Sequence, residues 1–201
     1  AIQMQLTYTA NQLNQYQLIT ADSGSDTTPS YDDDGNMTGY GEKIYTYNGE
    51  NRLVAVEPET PNDGDFKVEN IYDYMGRRVQ KKVYSYSEVS ADWSLVTANF
   101  FLYDGWNMVE ELDGAGLTAA SYVWGLDLSQ SLQGAGGVGG LLVRIAGGDS
   151  YTYAYDGNGN VGQIVDAAGS VAAHYEYDPF GKLVKSVGVR AKDNPYRYST
   201  K

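Results

Sequence analysis

The sequence predicts an all-β protein: an antiparallel sheet, twisted and curved, made of hairpins that begin on a Tyr-Asp phrase. Three observations predict this. The 201 residues include 24 Gly and 19 Tyr, where average usage would give about 14 Gly. Tyr suits a pleated, half-buried surface, and Gly with Asn and Asp supplies turns that need positive φ. Aromatic residues alternate at period two, as in Tyr151-Thr152-Tyr153-Ala154-Tyr155, which puts the three tyrosines on one face of a strand. Finally, one short phrase recurs throughout: Tyr, then Asp or Asn, then a Gly-containing turn and an aliphatic run.

The copies run in order. They are Tyr31-Asp32-Asp33-Asp34-Gly35, Tyr47-Asn48-Gly49, Tyr72-Asp73-Tyr74-Met75-Gly76, Tyr103-Asp104-Gly105, Tyr155-Asp156-Gly157-Asn158-Gly159 and Tyr177-Asp178-Pro179-Phe180-Gly181, with a degenerate copy from Tyr8 to Leu13. Steps between the tyrosines lie between 16 and 31 residues except for one of 52, which predicts a diverged copy around Tyr122-Val123-Trp124-Gly125. About 20 residues hold one hairpin and its connection. The expected role of these tyrosines, aspartates and glycines is structural. The tyrosines pair across strands, and each carboxylate fixes its turn by accepting from backbone N–H groups two residues on.

Further strands are expected at Ile44-Tyr45-Thr46-Tyr47, Lys82-Val83-Tyr84-Ser85-Tyr86 and Ala173-His174-Tyr175-Glu176-Tyr177. Asp113-Gly114-Ala115-Gly116 and Asp166-Ala167-Ala168-Gly169 are expected turns. The best helix candidate is short, near Ser90 to Thr97. Loops are expected at Ala21 to Ser30, Glu57 to Asp65 and Gly134 to Gly140. None resembles a domain linker, so residues 1–201 are expected to form a single repeat domain.

Composition excludes several chemistries. With no Cys, the protein has no disulfide framework and no thiolate metal site. The single His, His174, has no Ser/Asp constellation beside it and reads as a surface or cross-strand residue. A net charge of −12 without a basic run argues against phosphate-driven nucleic-acid binding. No apolar stretch approaches the roughly 18 residues of a membrane span, and any leader is expected to have been removed or to lie upstream. Asp32-Asp33-Asp34 lacks the spacing of a calcium loop and reads as an acidic turn. Gly134 to Gly140 has no following Lys to make a phosphate loop. Asp178-Pro179 reads as a Pro-shaped turn. No catalytic set emerges, so the protein is expected to be neither an enzyme nor a nucleic-acid binder, and to need no metal or cofactor.

The six copies, together with Asn194-Pro195-Tyr196-Arg197-Tyr198-Ser199-Thr200-Lys201 and the stretch from Tyr122 to Leu142, resemble the Rhs/YD-repeat family, in particular the segment just ahead of its C-terminal core. The resemblance implies a spiral sheet wound into a hollow shell that, in bacterial members, encloses or presents a C-terminal toxin. It implies a secreted or cell-surface setting. The self-cleavage associated with the core is not expected of residues 1–201. At about 11 residues per strand and turn, the sequence offers about 18 strands. That is enough for an arc of such a shell and too few to close around a folded domain. Flanking repeats or a second copy, pairing at open sheet edges, are the partners this implies, with a toxin as cargo. The competing reading is a surface module that binds glycans on a solvent-facing row of tyrosines. Packed tyrosines would favour the shell.

Overall fold

A computed structural model describes residues 5–22 and 25–200. The terminal Lys201 of the resembling phrase and part of the expected loop at Ala21 to Ser30 lie outside them. The fold is all-β and antiparallel. Among the described residues the helical structure is a single 3-10 turn at Tyr198–Thr200. The protein divides into two compact units, Ala1–Ala98 and Asn99–Lys201.

In the first unit, β1 (Leu6–Ala10) and β2 (Tyr16–Ala21) form a separate hairpin. A sheet then runs in sequence order through β3 (Ser30–Tyr31), β4 (Met37–Tyr40), β5 (Lys43–Tyr47), β6 (Leu53–Pro58), β7 (Phe66–Tyr72) and β8 (Arg78–Ser87). The expected loops are shorter than the sequence indicated. Ala21 closes β2, Ile19 bridges to Thr27, and Glu57 and Pro58 extend β6. Pro58 sits at the strand's end, where a missing N–H does least harm.

The helix expected near Ser90 to Thr97 is absent. Ser90 and Ala91 make a turn, Ala91 with φ 51, and Asp92 begins the long strand β9 (Asp92–Asp104). Trp93, Val96 and Thr97 favour a pleated strand, and Trp93 packs edge-on to Tyr86 at 5.2 Å between ring centroids.

The second unit is a meander of the same kind. Its strands are the distal part of β9, β10 (Asn107–Leu112), β11 (Thr118–Trp124), β12 (Leu141–Ala146), β13 (Asp149–Tyr155), β14 (Val161–Asp166), β15 (Val171–Tyr177) and β16 (Leu183–Val187). The core lies here. Tyr122, Leu141, Tyr153, Val161, Ile164 and Tyr175 are buried in one cluster, capped by Ala191 from the segment that follows β16. Burying a side chain of this size stabilises by about 1.5–3 kcal/mol, so a few tyrosines and aliphatics hold the layer. Sixteen strands are described, somewhat fewer than expected, because Gly125 to Gly140 forms turns and no strand.

Candidate functional site

The repeat's chemistry is concentrated in its turns. Asp73 shows the pattern. Its Oδ1 accepts from the N–H groups of Met75 at 2.9 Å and Arg77 at 3.0 Å, its own N–H donates to the Arg77 carbonyl, and Gly76 donates to the Asp73 carbonyl. Gly76 takes φ 82, a left-handed conformation that favours Gly or Asn. The register slips by one between Ile71 and Tyr72, directly before the cap. This is a turn followed by a bulge.

Eight caps build this turn among the described residues: Asn11, Asp32, Asn48, Asp73, Asp113, Asp156, Asp166 and Asp178. Each accepts from the N–H four residues on. Each has a left-handed residue three positions on: Asn14, Gly35, Asn51, Gly76, Gly116, Gly159, Gly169 and Gly181. Accepting such bonds favours the ionised form of a carboxyl, and the caps at Asp32 and Asp156 show it. At Asp32 the carboxyl is lowered chiefly by the Asn36 side-chain amide. At Asp156 burial pushes the carboxyl up, but the amide and N–H of Asn160 outweigh it.

The turns refine several readings. At the third expected copy from the end, Tyr103-Asp104-Gly105, no capped turn forms. Asp104 pairs directly with Asn107 across a two-residue turn in which Gly105 has φ 56. Asn107 is buried, and its Nδ2 donates to the Leu132 carbonyl at 3.4 Å. In the Tyr47 copy the left-handed residue is Asn51, and Gly49 has ordinary φ. Asp113 and Asp166, read only as generic turns, build the full cap, and the Asp-x-x-Gly spacing they share with Asp73 is the signal that finds them.

The long step in the repeat contains a ninth, modified turn. Asp127 donates its N–H to the Ser131 carbonyl and has Gln130 at φ 62 three residues on. Asp127 is only 2% exposed. Its carboxylate accepts from the Ser129 N–H (2.9 Å) and hydroxyl (2.6 Å), and from the N–H groups of Ala135 (2.6 Å) and Gly137 (3.2 Å). Burial pushes this carboxyl up. The Ser129 hydroxyl and the three N–H groups outweigh it and hold it down at about 2. The Gly134 to Gly140 stretch thus folds around one anionic side chain.

The repeat tyrosines connect one hairpin to the previous one. Tyr72 Oη donates to the Leu53 carbonyl at 2.9 Å, Tyr177 to Val161 at 3.1 Å, and Tyr31 to Tyr16 at 3.3 Å. In each case the acceptor opens the second strand of the preceding capped hairpin. Tyr155 makes the corresponding bond to Leu141, the first residue after the Gly-rich insertion.

In the second unit this tyrosine face is covered from above. The segment from Gly188 to Thr200 lies across it. Tyr196 packs edge-on against Tyr122 and Trp124, Tyr198 against Tyr177, and the Arg197 guanidinium lies 5.5 Å from the Tyr175 ring centroid. Tyr153 Oη donates to Asn194 Oδ1 at 2.6 Å, and Tyr175 Oη to the Ala191 carbonyl at 3.0 Å. Thr200, itself buried, donates its hydroxyl to the Gly159 carbonyl and accepts from the Gly139 N–H. Burial raises the phenols of Tyr153, Tyr155 and Tyr196 above their usual range and lifts Tyr177 to about 12. His174 lies on the opposite face, its Nε2 2.9 Å from Glu176 Oε1. In the sequence this segment is visible only as the phrase from Asn194 onward that carries the resemblance. That it covers the tyrosine face is decided by contacts between residues far apart in the sequence, such as Tyr153 and Asn194.

No family model matches this protein. Over 176 residues, 87% of its length, it is 33% identical to the tRNA3(Ser)-specific nuclease WapA of Bacillus spizizenii and 32% identical to the tRNA nuclease WapA of Bacillus subtilis. It spans 7% of the length of these relatives. Among solved structures, it superposes over 98% of its length on the crystal structure of TcdB2-TccC3-TEV (TM-score 0.58, 14% identity, 11% of that structure's length). It also superposes on the Photorhabdus luminescens Tc holotoxin pore (TM-score 0.53, 15% identity, 10% of that structure's length). The fold is therefore that of a β-repeat segment in large toxin proteins.

These relatives correct two expectations. The protein was expected to be no enzyme and to have no nucleic-acid partner, yet its relatives are named for cleaving tRNA. The expectation of no enzyme rests on the lack of a catalytic set in these residues, and that of no nucleic-acid partner on a net charge of −12. A charge count over a stretch equal to 7% of the relatives' length does not represent the surface of a protein of that size. No helix among the described residues is long and apolar enough to cross a membrane.

Proposed function

We propose that these residues are a stretch of the β-repeat envelope of a large Rhs/YD-type toxin protein. That protein acts on tRNA and works at the cell surface or after secretion. Its repeat tyrosines, capped aspartates and turn glycines are framework residues that build the envelope. The observation that carries this reading is the use of the tyrosines. Their hydroxyls bond the preceding hairpin at Tyr72, Tyr155 and Tyr177, and in the second unit their rings lie under the Gly188 to Thr200 segment. A glycan-binding row needs those rings in solvent. The similarity to tRNA nucleases and the shared fold with toxin structures support the same reading.

The test is made on the longer protein that carries this stretch. Limited proteolysis and tRNA cleavage are followed with and without the paired substitution Tyr72→Phe and Tyr177→Phe. An envelope loosened in this way exposes the remainder of the protein to protease and changes the tRNA cleavage that accompanies it. A loosened sheet, seen as a lowered melting temperature, with unchanged protection and unchanged cleavage overturns the proposal.

A further inference from the structure

The geometry points to Asn48-Gly49 as a site of spontaneous deamidation, a modification that converts an amide-capped turn into the carboxylate-capped form used by most other copies. Two Asn-Gly pairs occur in the sequence, Asn48-Gly49 and Asn158-Gly159, and the fold treats them oppositely.

In the reaction the Gly49 backbone nitrogen attacks Cγ of Asn48. A C–N bond forms, the Gly49 N–H proton passes to Nδ2 of Asn48, the Cγ–Nδ2 bond breaks and ammonia leaves, giving a cyclic imide. Water then opens the imide at either carbonyl, giving aspartate or isoaspartate. Water is the only co-reactant.

The turn assists the first step. Asn48 Oδ1 accepts from the N–H groups of Glu50 and Arg52, both at 3.0 Å. These two fixed donors point at the oxygen on which negative charge develops, the arrangement that stabilises a tetrahedral oxyanion. The ring closed by the Asn48 Oδ1 to Glu50 bond contains both reacting atoms. Gly49 is unencumbered. It has ordinary φ, and a Cβ placed on it would meet nothing within 4 Å. The turn itself does not require glycine there, since the same position holds Tyr74, Ala167 and Pro179 in other copies.

The second pair is held back. The Gly159 N–H donates to the Asp156 carbonyl at 3.1 Å. Gly159 has φ 75, and its backbone packs against Val138 and Gly139, so its nitrogen is engaged and its peptide cannot swing onto Asn158. Where aspartate holds the cap before a glycine, as at Asp156, whose carboxyl is pushed up by burial but held below its ordinary value by the Asn160 amide and N–H, the ionised carboxylate is a poor electrophile and the turn persists. Aspartate at 48 would preserve both N–H bonds with a charged acceptor. Isoaspartate would add a methylene to the backbone between β5 and β6.

The experiment ages the purified protein at neutral pH and follows both asparagines by peptide mass mapping, with isoaspartyl methyl labelling to separate the products. The expected result is conversion of Asn48 at least about tenfold faster than Asn158, a modest gain for two oriented donors on an oxyanion. The difference should disappear in concentrated urea, and Gly49→Ala should slow conversion at Asn48. Equal rates in the folded protein, or an Asn48 rate that rises on unfolding in urea, overturns the inference.

Discussion

Tyr177 Oη donates to the Val161 carbonyl at 3.1 Å across 16 residues, and through this bond one hairpin grips the one before it. Val161 is fully buried, and its N–H in turn donates to the Arg197 carbonyl. A phenylalanine at 177 would keep the ring and strand the carbonyl. Tyr177→Phe should therefore lower the unfolding free energy by about 1–3 kcal/mol, the range for a buried group left unpaired. Urea denaturation reads this directly, and an unchanged midpoint would mean that the hydroxyl contributes nothing to the joint.

The cap at Asp156 holds the N–H groups of Asn158 and Asn160, and its second oxygen holds the Asn160 amide. Asparagine can make the same two backbone contacts, as Asn48 does. Asp156→Asn should retain most of the stability, whereas Asp156→Ala should cost about 1–2 kcal/mol. Thermal unfolding of the two variants side by side checks the order.

Two pH limits follow from opposite shifts. The Asp127 carboxyl sits at about 2 in the folded protein against an ordinary 3.8. A depressed pKa contributes stability above the unfolded value and loses it as pH falls through the folded one. Stability should decline between about pH 4 and pH 2, and Asp127→Asn should blunt that decline. Tyr177, raised by burial to about 12 from 10.0, behaves in the reverse sense. Its contribution is complete below about pH 10 and is lost as pH rises towards about 12. Tyrosinate absorbance, followed with circular dichroism through an alkaline titration, should show ionisation of the covered tyrosines coinciding with loss of strand structure. Smooth ionisation while the fold persists would contradict the burial of their hydroxyls.

Glycines that look alike in sequence should respond differently. Gly159 has φ 75, and a Cβ there would come within 2.5 Å of Val138 Cγ1 and 3.1 Å of the Gly139 nitrogen. Gly159→Ala should destabilise by about 2 kcal/mol or more, combining left-handed strain with overlap. Gly49→Ala should be neutral or slightly stabilising through its effect on the unfolded state. Urea denaturation of both variants separates the two environments.

The Tyr-Asp phrases and the period-two aromatics, as in Tyr151, Tyr153 and Tyr155, determined by themselves that this protein is a meander of antiparallel hairpins. Alternation and turn residues are local properties, set by which side of a pleat a residue occupies and which φ it tolerates. The turn code was legible too, but in the Asp-x-x-Gly spacing more than in the Tyr-Asp dipeptide. Asp113 and Asp166 cap their turns with no Tyr before them, and in the Tyr47 copy Asn51 rather than Gly49 takes the left-handed position. Tertiary structure alone decided the rest. Asp127 became the anchor of a glycine loop because N–H groups from Ala135 and Gly137 converge on it, and the Gly188 to Thr200 segment became the lid of the tyrosine layer. Burial and hydrogen bonding between residues far apart in sequence, as from Tyr153 to Asn194, depend on which faces meet in space, and no periodicity within a strand records that.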